Sequence, residues 1–341
     1  MKPKVAVVIL NWNGKSFLER FLPNIIQHTC NEAELIIADN ASSDDSIEFL
    51  KRNYPQLKLI QFESNAGFAK GYNDAFKQID SDYYVLLNSD LEVSPNWISP
   101  IIELMESDEN IAVCQPKLML FDDKKKFEYS GAGGGFIDFL GYPFCRGRLF
   151  DSIENDNGQY NDNYEIFWAS GAALFVKAKI YHQFGGLDND FFAHMEEIDF
   201  CWRLKNNGYK IMYCPQSTIY HIGGGTLPKS SSRKTYLNFR NNFFLLYKNL
   251  PSSKLWNVLI IRLFLDGIAA IKFLSEGKLG DIVAVAKAHF HFYAALPSLS
   301  KKRKLLKQIN VSKVYKKSIV WDYYAKKKTS FSMLDESNFS S

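Results

Sequence analysis

The sequence predicts an α/β fold, a Rossmann-like sheet flanked by helices on both faces, with a helical extension at the C-terminal end. Three observations lead to this prediction. Short apolar runs alternate with amphipathic stretches early in the chain, polar residues end these runs, and helical patterns dominate beyond residue 233. With 341 residues, 46% of them hydrophobic, the chain is long enough to bury a substantial core.

The alternation is clearest between residues 5 and 87. Strand-like runs at 5–10, 35–38, 57–62 and 83–87 are separated by helix-like stretches at 17–26, 47–50 and 66–79. Strands separated by helices imply parallel pairing with right-handed crossovers, and such sheets bind ligands at the carboxyl ends of their strands. We therefore expect the polar residues that end these runs to face a ligand: Asn11, Asn13, Asp39, Asn88 and Asp90.

The middle of the chain interrupts this alternation. Ser94-Pro95 predicts the start of a helix over 97–105, and a strand follows at 111–119. Residues 124–163 are rich in Gly, Asp and Asn, which predicts long irregular loops or a small hairpin excursion, part of it mobile over a cleft. Regular patterns then complete one sheet, with extended runs at 167–176, 210–213 and 218–220 and a helix over 196–207 closed by Gly208.

The C-terminal region has the pattern of long helices. Residues 255–274 are almost wholly apolar apart from Asn257, Arg262, Asp266 and Lys272, and a second helix covers 281–296 before the basic residues 301–304. These helices either pack on the α/β domain or lie against the inner face of a membrane, and Arg262 and Asp266 argue against a membrane-spanning helix. The predicted division is an α/β domain at 1–240, a helical region at 241–328 and a flexible tail at 329–341.

Composition excludes several classes of protein. The formal net charge of +4, from 41 basic and 37 acidic residues, gives no signal for binding a polyanion, so nucleic acid is not an expected partner. Five cysteines without a CxxC pair favour a reducing compartment and argue against structural zinc. The apolar run at 5–10 is too short for the core of a signal peptide, so we expect a cytoplasmic protein.

Two acidic clusters follow predicted strands. In Asn88-Ser89-Asp90, the Asp90 carboxylate is presented where an oxygen ligand could hold Mg²⁺ or Mn²⁺ against a diphosphate, although an acid after a strand is more often part of a turn or a helix cap. Asp39 opens a polar cluster at 39–46, where one acid could contact a nucleobase or ribose. Such clusters are also ordinary strand-to-helix loops.

A third carboxylate cluster and a histidine complete the candidate chemistry. Glu196, Glu197 and Asp199 lie in the first turn of a predicted helix, where one could act as a general base or all could complement the helix dipole. His221 ends the last predicted strand, just before Gly223-Gly224-Gly225. An imidazole there could join Asp90 at a metal ion or simply pack in the core.

Taken together, these motifs resemble the family 2 glycosyltransferases, in particular the rhamnosyltransferase-like branch and its galactofuranosyltransferase relatives. The resemblance implies the GT-A fold, with a mixed sheet, and transfer of a hexosyl or deoxyhexosyl group from a UDP- or dTDP-linked donor to an acceptor hydroxyl. It covers about residues 4–248 and includes these motifs in family order: Val7-Val8-Ile9-Leu10-Asn11-Trp12-Asn13, Asp39-Asn40-Ala41-Ser42-Ser43-Asp44, Asn65-Ala66-Gly67-Phe68-Ala69, Gly71-Tyr72-Asn73, Leu86-Leu87-Asn88-Ser89-Asp90, Ala169-Ser170-Gly171-Ala172-Ala173, Gly185-Gly186-Leu187-Asp188, Glu196-Glu197-Ile198-Asp199 and His221-Ile222-Gly223-Gly224-Gly225.

The resemblance implies a role for each cluster. Asp90 and His221 are the implied ligands of Mg²⁺ or Mn²⁺, and Glu197 is the implied catalytic base, with Glu196 or Asp199 as alternatives. Trp168 and Gly171 stand where relatives line the acceptor pocket. The implied donor-binding residues are Asn11, Asn13, Asp39, Asn65, Gly67, Asn88 and Ser89. The chain departs from the family pattern at Asn88, which replaces the first acid of a DxD motif, and at Glu197, which replaces the Asp of a Glu-Asp pair.

The implied reaction is an inverting, metal-dependent displacement that serves cell-surface polysaccharide or lipid-linked glycan assembly, peripherally on the inner face of the cell membrane. The alternative is a catalytically weak sugar-nucleotide-binding or membrane-scaffold protein on the same fold. A nicotinamide-dependent oxidoreductase is disfavoured because Asn11-Trp12-Asn13-Gly14 lacks the GxGxxG pattern. The glycine run at 131–135 does not lie between an opening strand and a helix either.

Overall fold

The computed structural model describes residues 4–222 and 231–341. The described strands are β1 (Val5–Asn11), β2 (Glu34–Asp39), β3 (Lys58–Gln61), β4 (Tyr83–Leu87), β5 (Leu91–Val93), β6 (Ile111–Leu120), β7 (Gly135–Asp138), β8 (Pro143–Cys145), β9 (Arg148–Leu149), β10 (Ser152–Ile153), β11 (Tyr164–Ile166), β12 (Ala173–Lys177), β13 (Lys210–His221) and β14 (Val314–Tyr315). The helices are α1 (Lys15–Thr29), α2 (Ser46–Asn53), α3 (Gly67–Phe76), α4 (Ser99–Glu106), α5 (Ala178–Gln183), α6 (Glu196–Lys205), α7 (Ser232–Asn249), α8 (Ser252–Ser275), α9 (Leu279–Leu305) and α10 (Ile319–Tyr324).

The main sheet is mixed, in the order β11-β13-β6-β12-β4-β1-β2-β3, and β5 pairs with β13. Strands β3, β2, β1 and β4 are parallel, as the alternating pattern predicts. Strand β12 is antiparallel to both of its neighbours, β4 and β6, and β13 is parallel to β6. Consequently β1, β2, β4, β6 and β13 all run in one direction, and their carboxyl ends share one edge of the sheet.

Both faces of this sheet are covered, because successive residues of its strands point to opposite sides. Val7 and Ile9 of β1 join a core cluster that includes buried residues of α1 and α4, whereas Val8 joins a second cluster with buried residues of α3 and α6. Strand β4 is buried along its whole length, which matches its continuous apolar sequence. The predicted core therefore forms as two hydrophobic layers around one sheet.

The start of α4 differs from the prediction. Ser94-Pro95 was expected to open the helix, but Asn96 has a φ of 55° and the helix begins at Ser99, with Pro100 in its first turn. A proline is tolerated there because the first amides of a helix have no intrahelical acceptor. The short strand β5, which the sequence analysis did not predict, occupies residues just before this turn.

Residues 124–163 form the hairpin excursion that was one of the two predicted outcomes. Strands β7 to β10 of this segment pair antiparallel, and β14 from the C-terminal part adds to β7 in parallel. Phe136, Phe144 and Leu149 are buried, so this small sheet has its own packed side chains instead of loose loops. The excursion leaves from the end of β6 and returns through β11 and β12, which places β12 antiparallel to β6.

The C-terminal tail differs from the predicted flexible end. Phe331 and Leu334 are buried, and the ring centroids of Phe136 and Phe331 lie 4.9 Å apart. The Phe339 ring lies 5.0 Å from that of Tyr315. These aromatic side chains close the apolar surface of the small sheet, which explains why residues 329–341 pack on it.

Helices α7, α8 and α9 form the helical extension. The predicted division at residue 240 falls inside α7, a continuous helix that contacts α6 as well as α8 and α9. Within the described ranges, no helix combines the length and the hydropathy that a bilayer-spanning segment needs.

Candidate functional site

The predicted ligand-facing residues lie at the shared edge of the main sheet. Asn11 at the end of β1 is in register with Asp39 at the end of β2, and Asn88 follows the end of β4. His221 ends β13, whose direction matches that of β4. The sheet topology thus brings together polar residues that are far apart in the sequence.

Asp39 organises the loop after β2. Its Oδ1 accepts a hydrogen bond from the Ser42 amide at 2.9 Å, and its Oδ2 accepts from the Asn11 amide group at 2.9 Å and from the Ser42 hydroxyl at 2.6 Å. Asp39 has no exposed surface, so its carboxylate shapes this loop from inside. Contact between Asp39 and a nucleobase remains a prediction.

Asn13 and Asn65 brace the loops on either side of Asp39. Asn13 has a φ of 51°, and its side-chain oxygen accepts from the Ser43 amide at 2.7 Å. Asn65 accepts from the Asn40 side chain at 3.0 Å and from the Gly67 amide at 2.9 Å. Both asparagines are exposed, so each retains surface that a donor could contact.

Gly67 is required by close packing. It has a φ of +86°, and a Cβ added to it would lie 2.6 Å from the Phe192 ring and 2.8 Å from the Phe192 carbonyl oxygen. The Phe68 amide also donates to that carbonyl at 2.8 Å. The N-terminal end of α3 is therefore fastened to the segment that leads into α6.

Asn88, Asp90 and His221 meet at the carboxyl end of β4. His221 Nε2 lies 3.1 Å from Asp90 Oδ1 and 3.5 Å from the Asn88 side-chain nitrogen. The Ile222 amide donates to the Asp90 carbonyl at 3.1 Å, which fixes the ends of the two segments together. Ser89 lies close to the loop after β1, because a Cβ on Gly14 would be 3.5 Å from Ser89 Oγ.

Glu128 is a member of this cluster that the sequence analysis missed. Its Oε1 lies 3.2 Å from His221 Nδ1, on the opposite side of the ring from Asp90, and this nitrogen makes no hydrogen bond within the described residues. Burial alone would favour a neutral ring. The Glu128 and Asp90 carboxylates outweigh that effect and raise the pKa of His221 to about 10.

The donor set here suits a divalent cation that is also held by a substrate. His221 Nε2 and Asp90 Oδ1 lie 3.1 Å apart, a hydrogen-bond distance, so a cation held by both would take the place of the proton that they share. Among the described residues, no group of three or more His, Cys, Asp and Glu is arranged to hold a metal alone. Diphosphate oxygens and water would have to supply the remaining ligands.

The segment before α6 is strained and held by α7. Phe192, His194 and Met195 have φ values of 64°, 69° and 73°, in the left-handed region that non-glycine residues rarely adopt. The Asn241 side-chain amide donates to three carbonyl oxygens of this segment at 3.0, 2.9 and 2.7 Å: those of Phe191, Ala193 and His194. Such strain persists only where surrounding contacts fix the backbone, and it often accompanies functional residues.

This segment presents two unusual carboxyl groups, Glu196 and Glu197. Each has one oxygen that is buried and finds no hydrogen-bond partner within the part of the chain that the structure describes. Burial raises the pKa of Glu197 to about 7. Burial, together with the charge of Glu197, raises the pKa of Glu196 well above its usual range. The pKa of Glu197 thus lies near neutral pH, where this carboxyl can exchange a proton.

The structure does not support Asp199 as a base. It is fully buried and binds Arg203 Nε at 2.9 Å, Lys248 Nζ at 2.9 Å and the Asn249 side chain at 2.8 Å. Both of its oxygens are therefore engaged by neighbouring side chains inside the fold. The alternative role predicted for Asp199 is corrected to that of an anchor between α6 and α7.

The two predicted acceptor residues have different positions. Gly171 lies beside Phe68 and Glu197, since a Cβ there would be 3.2 Å from the Phe68 ring and 4.0 Å from Glu197 Cβ. Trp168 is only 5% exposed, and its indole nitrogen donates to the Phe136 carbonyl at 2.8 Å. The Trp168 ring therefore packs against Gly135 in the core and offers little surface to an acceptor.

Contacts connect these parts into one site. The Asn88 amide, two residues before Asp90, donates to the Ala172 carbonyl at 2.9 Å, and Ala172 follows Gly171, where an added Cβ would lie 4.0 Å from Glu197 Cβ. Glu128 and Glu197 both add to the effect of burial in raising the pKa of Cys145. The glycines at 223–225, predicted to approach a ligand, lie outside the described residues. Asp90 and His221 could hold a cation here, and the raised pKa of Glu197, about 7, suits proton exchange near neutral pH.

Sequence comparison identifies known proteins that are similar to this chain. The family model described as Glycosyl transferase family 2 matches residues 6–178. The N-acetylglucosaminyl-diphospho-decaprenol L-rhamnosyltransferase of Mycobacterium tuberculosis is 23% identical over 239 residues, which cover 65% of this chain and 76% of that protein.

Two solved structures share the fold. S. aureus TarS 1–349 in complex with UDP-GlcNAc superposes with a TM-score of 0.55 at 15% identity and covers 88% of this chain and 83% of that one. GalNAc-T7 with UDP, GalNAc and Mn²⁺ superposes with a TM-score of 0.58 at 15% identity, covering 87% of this chain but only 57% of that one. At such identities the likeness shows the fold, which is of the GT-A type with a C-terminal helical extension.

Proposed function

The chain belongs to glycosyl transferase family 2, and we propose that it transfers a hexosyl or deoxyhexosyl group, with inversion, from a nucleotide diphosphate to an acceptor hydroxyl. The observation that carries this proposal is the close approach of Asp90 and His221 at the carboxyl end of β4, with Glu197 beside Gly171 just before the neighbouring strand β12. A cation-binding pair and a proton acceptor are the two groups that such a displacement requires.

The donor side of the proposed site consists of residues on three loops. Asp90 and His221 would hold Mg²⁺ or Mn²⁺, which when bound stabilises the negative charge that develops on the departing diphosphate. Asn88 and Ser89 would contact the diphosphate or sugar next to that pair. Asn11, Asn13, Asp39, Asn65 and Gly67 would form the nucleotide-binding part, where exposed amide groups can bind a base or ribose.

The proposed chemical step is a single displacement. The acceptor hydroxyl oxygen attacks the anomeric carbon, the bond from that carbon to the diphosphate oxygen breaks, and the diphosphate leaves with the bonding electrons. Glu197 accepts the hydroxyl proton as the new bond forms. A carboxyl with a pKa of about 7 suits this role, since a useful fraction is ionised at neutral pH and its basicity exceeds that of an ordinary glutamate.

We propose that Glu128 positions His221 for the cation. Histidines that bind metals commonly donate their second ring nitrogen to a carboxylate, which fixes the ring, and loss of such a partner weakens metal binding about 10- to 100-fold. A Glu128→Gln variant should therefore bind Mn²⁺ about 10- to 100-fold more weakly, as measured by calorimetry or by the electron paramagnetic resonance of free Mn²⁺. The variant retains an oxygen that can accept from the Ser130 amide, as Glu128 does.

The matched control is Glu92→Gln, on β5 two residues after Asp90, where the carboxylate pairs with Lys124. This control should bind Mn²⁺ like the wild type. Wild-type affinity in the Glu128→Gln protein would refute the positioning role.

We further propose a UDP- or dTDP-linked donor and an acceptor in cell-surface polysaccharide or lipid-linked glycan assembly, at the inner face of the cell membrane. The name of the mycobacterial relative, which specifies a diphospho-decaprenol acceptor and rhamnose, supports a lipid-linked acceptor and a deoxyhexose. The cysteines of the described residues are all free, which supports a reducing compartment.

A donor panel tests the proposed function. Purified protein should hydrolyse UDP- or dTDP-linked sugars slowly in the absence of an acceptor, and only with Mg²⁺ or Mn²⁺ present. Chelation by EDTA should stop the reaction, and added Mn²⁺ should restore it, with GDP-linked sugars as the comparison. Binding of a nucleotide sugar without any turnover would instead support a catalytically weak sugar-nucleotide-binding protein.

A further inference from the structure

Helix α8 has its charged and apolar residues on unexpected sides. Arg262 and Asp266 are only 4% and 1% exposed, whereas Ile260, Phe264 and Ile271 are 63%, 70% and 68% exposed. A helix on the surface of a globular protein in water normally buries its apolar side and exposes its charges. The outer side of α8 therefore has the character of a surface that meets an apolar environment.

Internal contacts fix this orientation. Arg262 Nη1 donates to the Leu140 carbonyl at 2.9 Å and to Asn242 Oδ1 at 2.6 Å, which joins α8 to the small sheet and to α7. Asp266 lies 3.0 Å from His289 Nε2 of α9 and 3.5 Å from Arg262. Turning the apolar side of α8 inward would leave these groups without partners, which costs more than exposing apolar side chains.

Helix α9 adds a second apolar stripe. Its exposed apolar residues recur at helical spacing and so share one side of the helix. We call the exposed apolar residues of α8, with those of α9 up to Tyr293, the outer apolar face: Trp256, Ile260, Ile261, Phe264, Ile268, Ile271 and Leu274 of α8, with Leu279, Val283, Phe290 and Tyr293 of α9. A contiguous exposed surface of this kind marks an interaction site in a water-soluble domain.

The charge of the surrounding chain indicates which partner fits this face. Residues 251–330, all of which the structure describes, contain 16 Lys and Arg but only 4 Asp and Glu, and two of these acids, Asp266 and Asp322, are buried. Lys272 Nζ of α8 lies 5.9 Å from the Tyr324 ring centroid, which brings α10, with its 63% exposed Trp321, next to the end of this face. Basic residues and aromatic rings beside an apolar helix side favour the surface of an anionic bilayer.

We propose that the outer apolar face inserts into the headgroup region of an anionic lipid bilayer, while the exposed basic residues of 251–330 contact lipid phosphates. A second copy of the chain fits less well, because two such basic surfaces would repel each other. The α8–α9 pair then lies in the membrane surface without spanning it. The proposal that this face binds a bilayer is argued from the burial and charge of residues in α8, α9 and 251–330. Its purpose, which is to bring the site to a lipid-linked acceptor, rests on the proposed function.

Vesicle co-sedimentation tests the docking. The full chain should sediment with vesicles of phosphatidylglycerol and phosphatidylcholine, sediment less at high salt, and sediment weakly with phosphatidylcholine alone. A Phe264→Ser/Ile271→Ser variant should lose about ten-fold or more in vesicle affinity, because it removes two of the most exposed apolar groups. Ile309→Ser, which changes an apolar residue that is 48% exposed but outside the face, is the matched control and should bind like the wild type.

Hydrolysis of the soluble donor, measured on the same proteins, should be equal in all three. Equal vesicle binding by wild type and double variant, or no binding by the wild type, would overturn the proposal. So would a wild-type dimer in solution that the double variant loses, because a second copy would then cover the face. The proposed transfer reaction would fail separately, through loss of donor hydrolysis in the wild type.

Discussion

A Glu197→Gln variant should transfer sugar about 10²- to 10⁴-fold more slowly than the wild type, because glutamine cannot accept the acceptor proton. The substitution preserves the size of the side chain and leaves the Asp90–His221 pair unchanged. Binding of the nucleotide sugar and of Mn²⁺ should therefore stay within about two-fold of the wild type. Single-turnover transfer with saturating donor, together with calorimetric donor binding, measures the two quantities separately.

Glu196→Gln is the matched control for this prediction. Burial and the neighbouring charge raise the pKa of Glu196 well above its usual range, which favours the neutral carboxyl, and glutamine imitates that form. The Glu196→Gln protein should retain most of its activity. If Glu196→Gln abolishes transfer and Glu197→Gln does not, the two roles are exchanged.

Wild-type turnover should also depend on pH through Glu197. The base works only when it is ionised, so turnover should rise with pH and level off above about 7, where the pKa of Glu197 lies. The residual turnover of Glu197→Gln should lack this rise. A flat wild-type profile between pH 5.5 and 8 would contradict the assignment of Glu197 as the base.

The raised pKa of Glu197 also predicts that the stability of the fold falls as pH rises, whereas turnover rises. A carboxyl with a raised folded-state pKa favours the folded state while protonated, and this contribution is lost as pH rises from the unfolded value near 4.5 through about 7. At pH 8, Glu197→Gln should therefore be more stable than the wild type by up to about 3 kcal/mol, and at pH 4 the two should be equal. Chemical denaturation at both pH values measures the difference in free energy of unfolding between the two proteins. A more stable variant at pH 8 would show that Glu197 serves activity at the expense of stability.

Much of the fold could be predicted because its signals are local. The continuous apolar sequence of β4 and the apolar periodicity of α1 depend only on neighbouring residues, and both elements appear where they were predicted. The direction of β12 could not be predicted this way, since it depends on the edge of the sheet from which the chain returns after the β7–β10 excursion.

The candidate site shows the same limit. Glu197 and Asp199 look equivalent in sequence, yet residues two apart on a helix point to different sides, and Asp199 faces Lys248 and Arg203. Helical spacing was a usable signal that could have separated them. Glu128 carries no motif; only the folding of the 124–163 segment back along β6 brings its carboxylate to His221.

At the C-terminal end, composition was a poor guide to how the residues pack. The serine-rich composition of 329–341 predicted a flexible tail, while Phe331 and Phe339 were the residues that determined its packing. In α8, the presence of Arg262 and Asp266 argued correctly against a membrane-spanning helix, but composition could not say that both charges point inward.

An Asp90→Asn variant should lose on the order of 10³-fold or more in transfer, because the charge that develops on the diphosphate would lack a firmly held cation. Asparagine keeps the shape of the side chain and one oxygen, but removes the negative charge that attracts a divalent ion next to His221. Unlike Glu197→Gln, this variant should bind Mn²⁺ weakly, and raising the Mn²⁺ concentration should recover part of its activity. Titration of transfer rate against Mn²⁺ measures both effects.

The neighbouring Asn88 supplies a reciprocal experiment, since it stands where the family pattern has an acid. Asn88→Asp adds a carboxylate 3.5 Å or so from His221 Nε2, judged from the present amide nitrogen, and should strengthen Mn²⁺ binding. The double variant Asn88→Asp/Asp90→Asn should then recover part of the Mn²⁺ affinity lost in Asp90→Asn. Unchanged Mn²⁺ affinity and transfer in Asp90→Asn would show that the cation, if one is used, binds elsewhere, and the proposed roles of both Asp90 and His221 would be wrong.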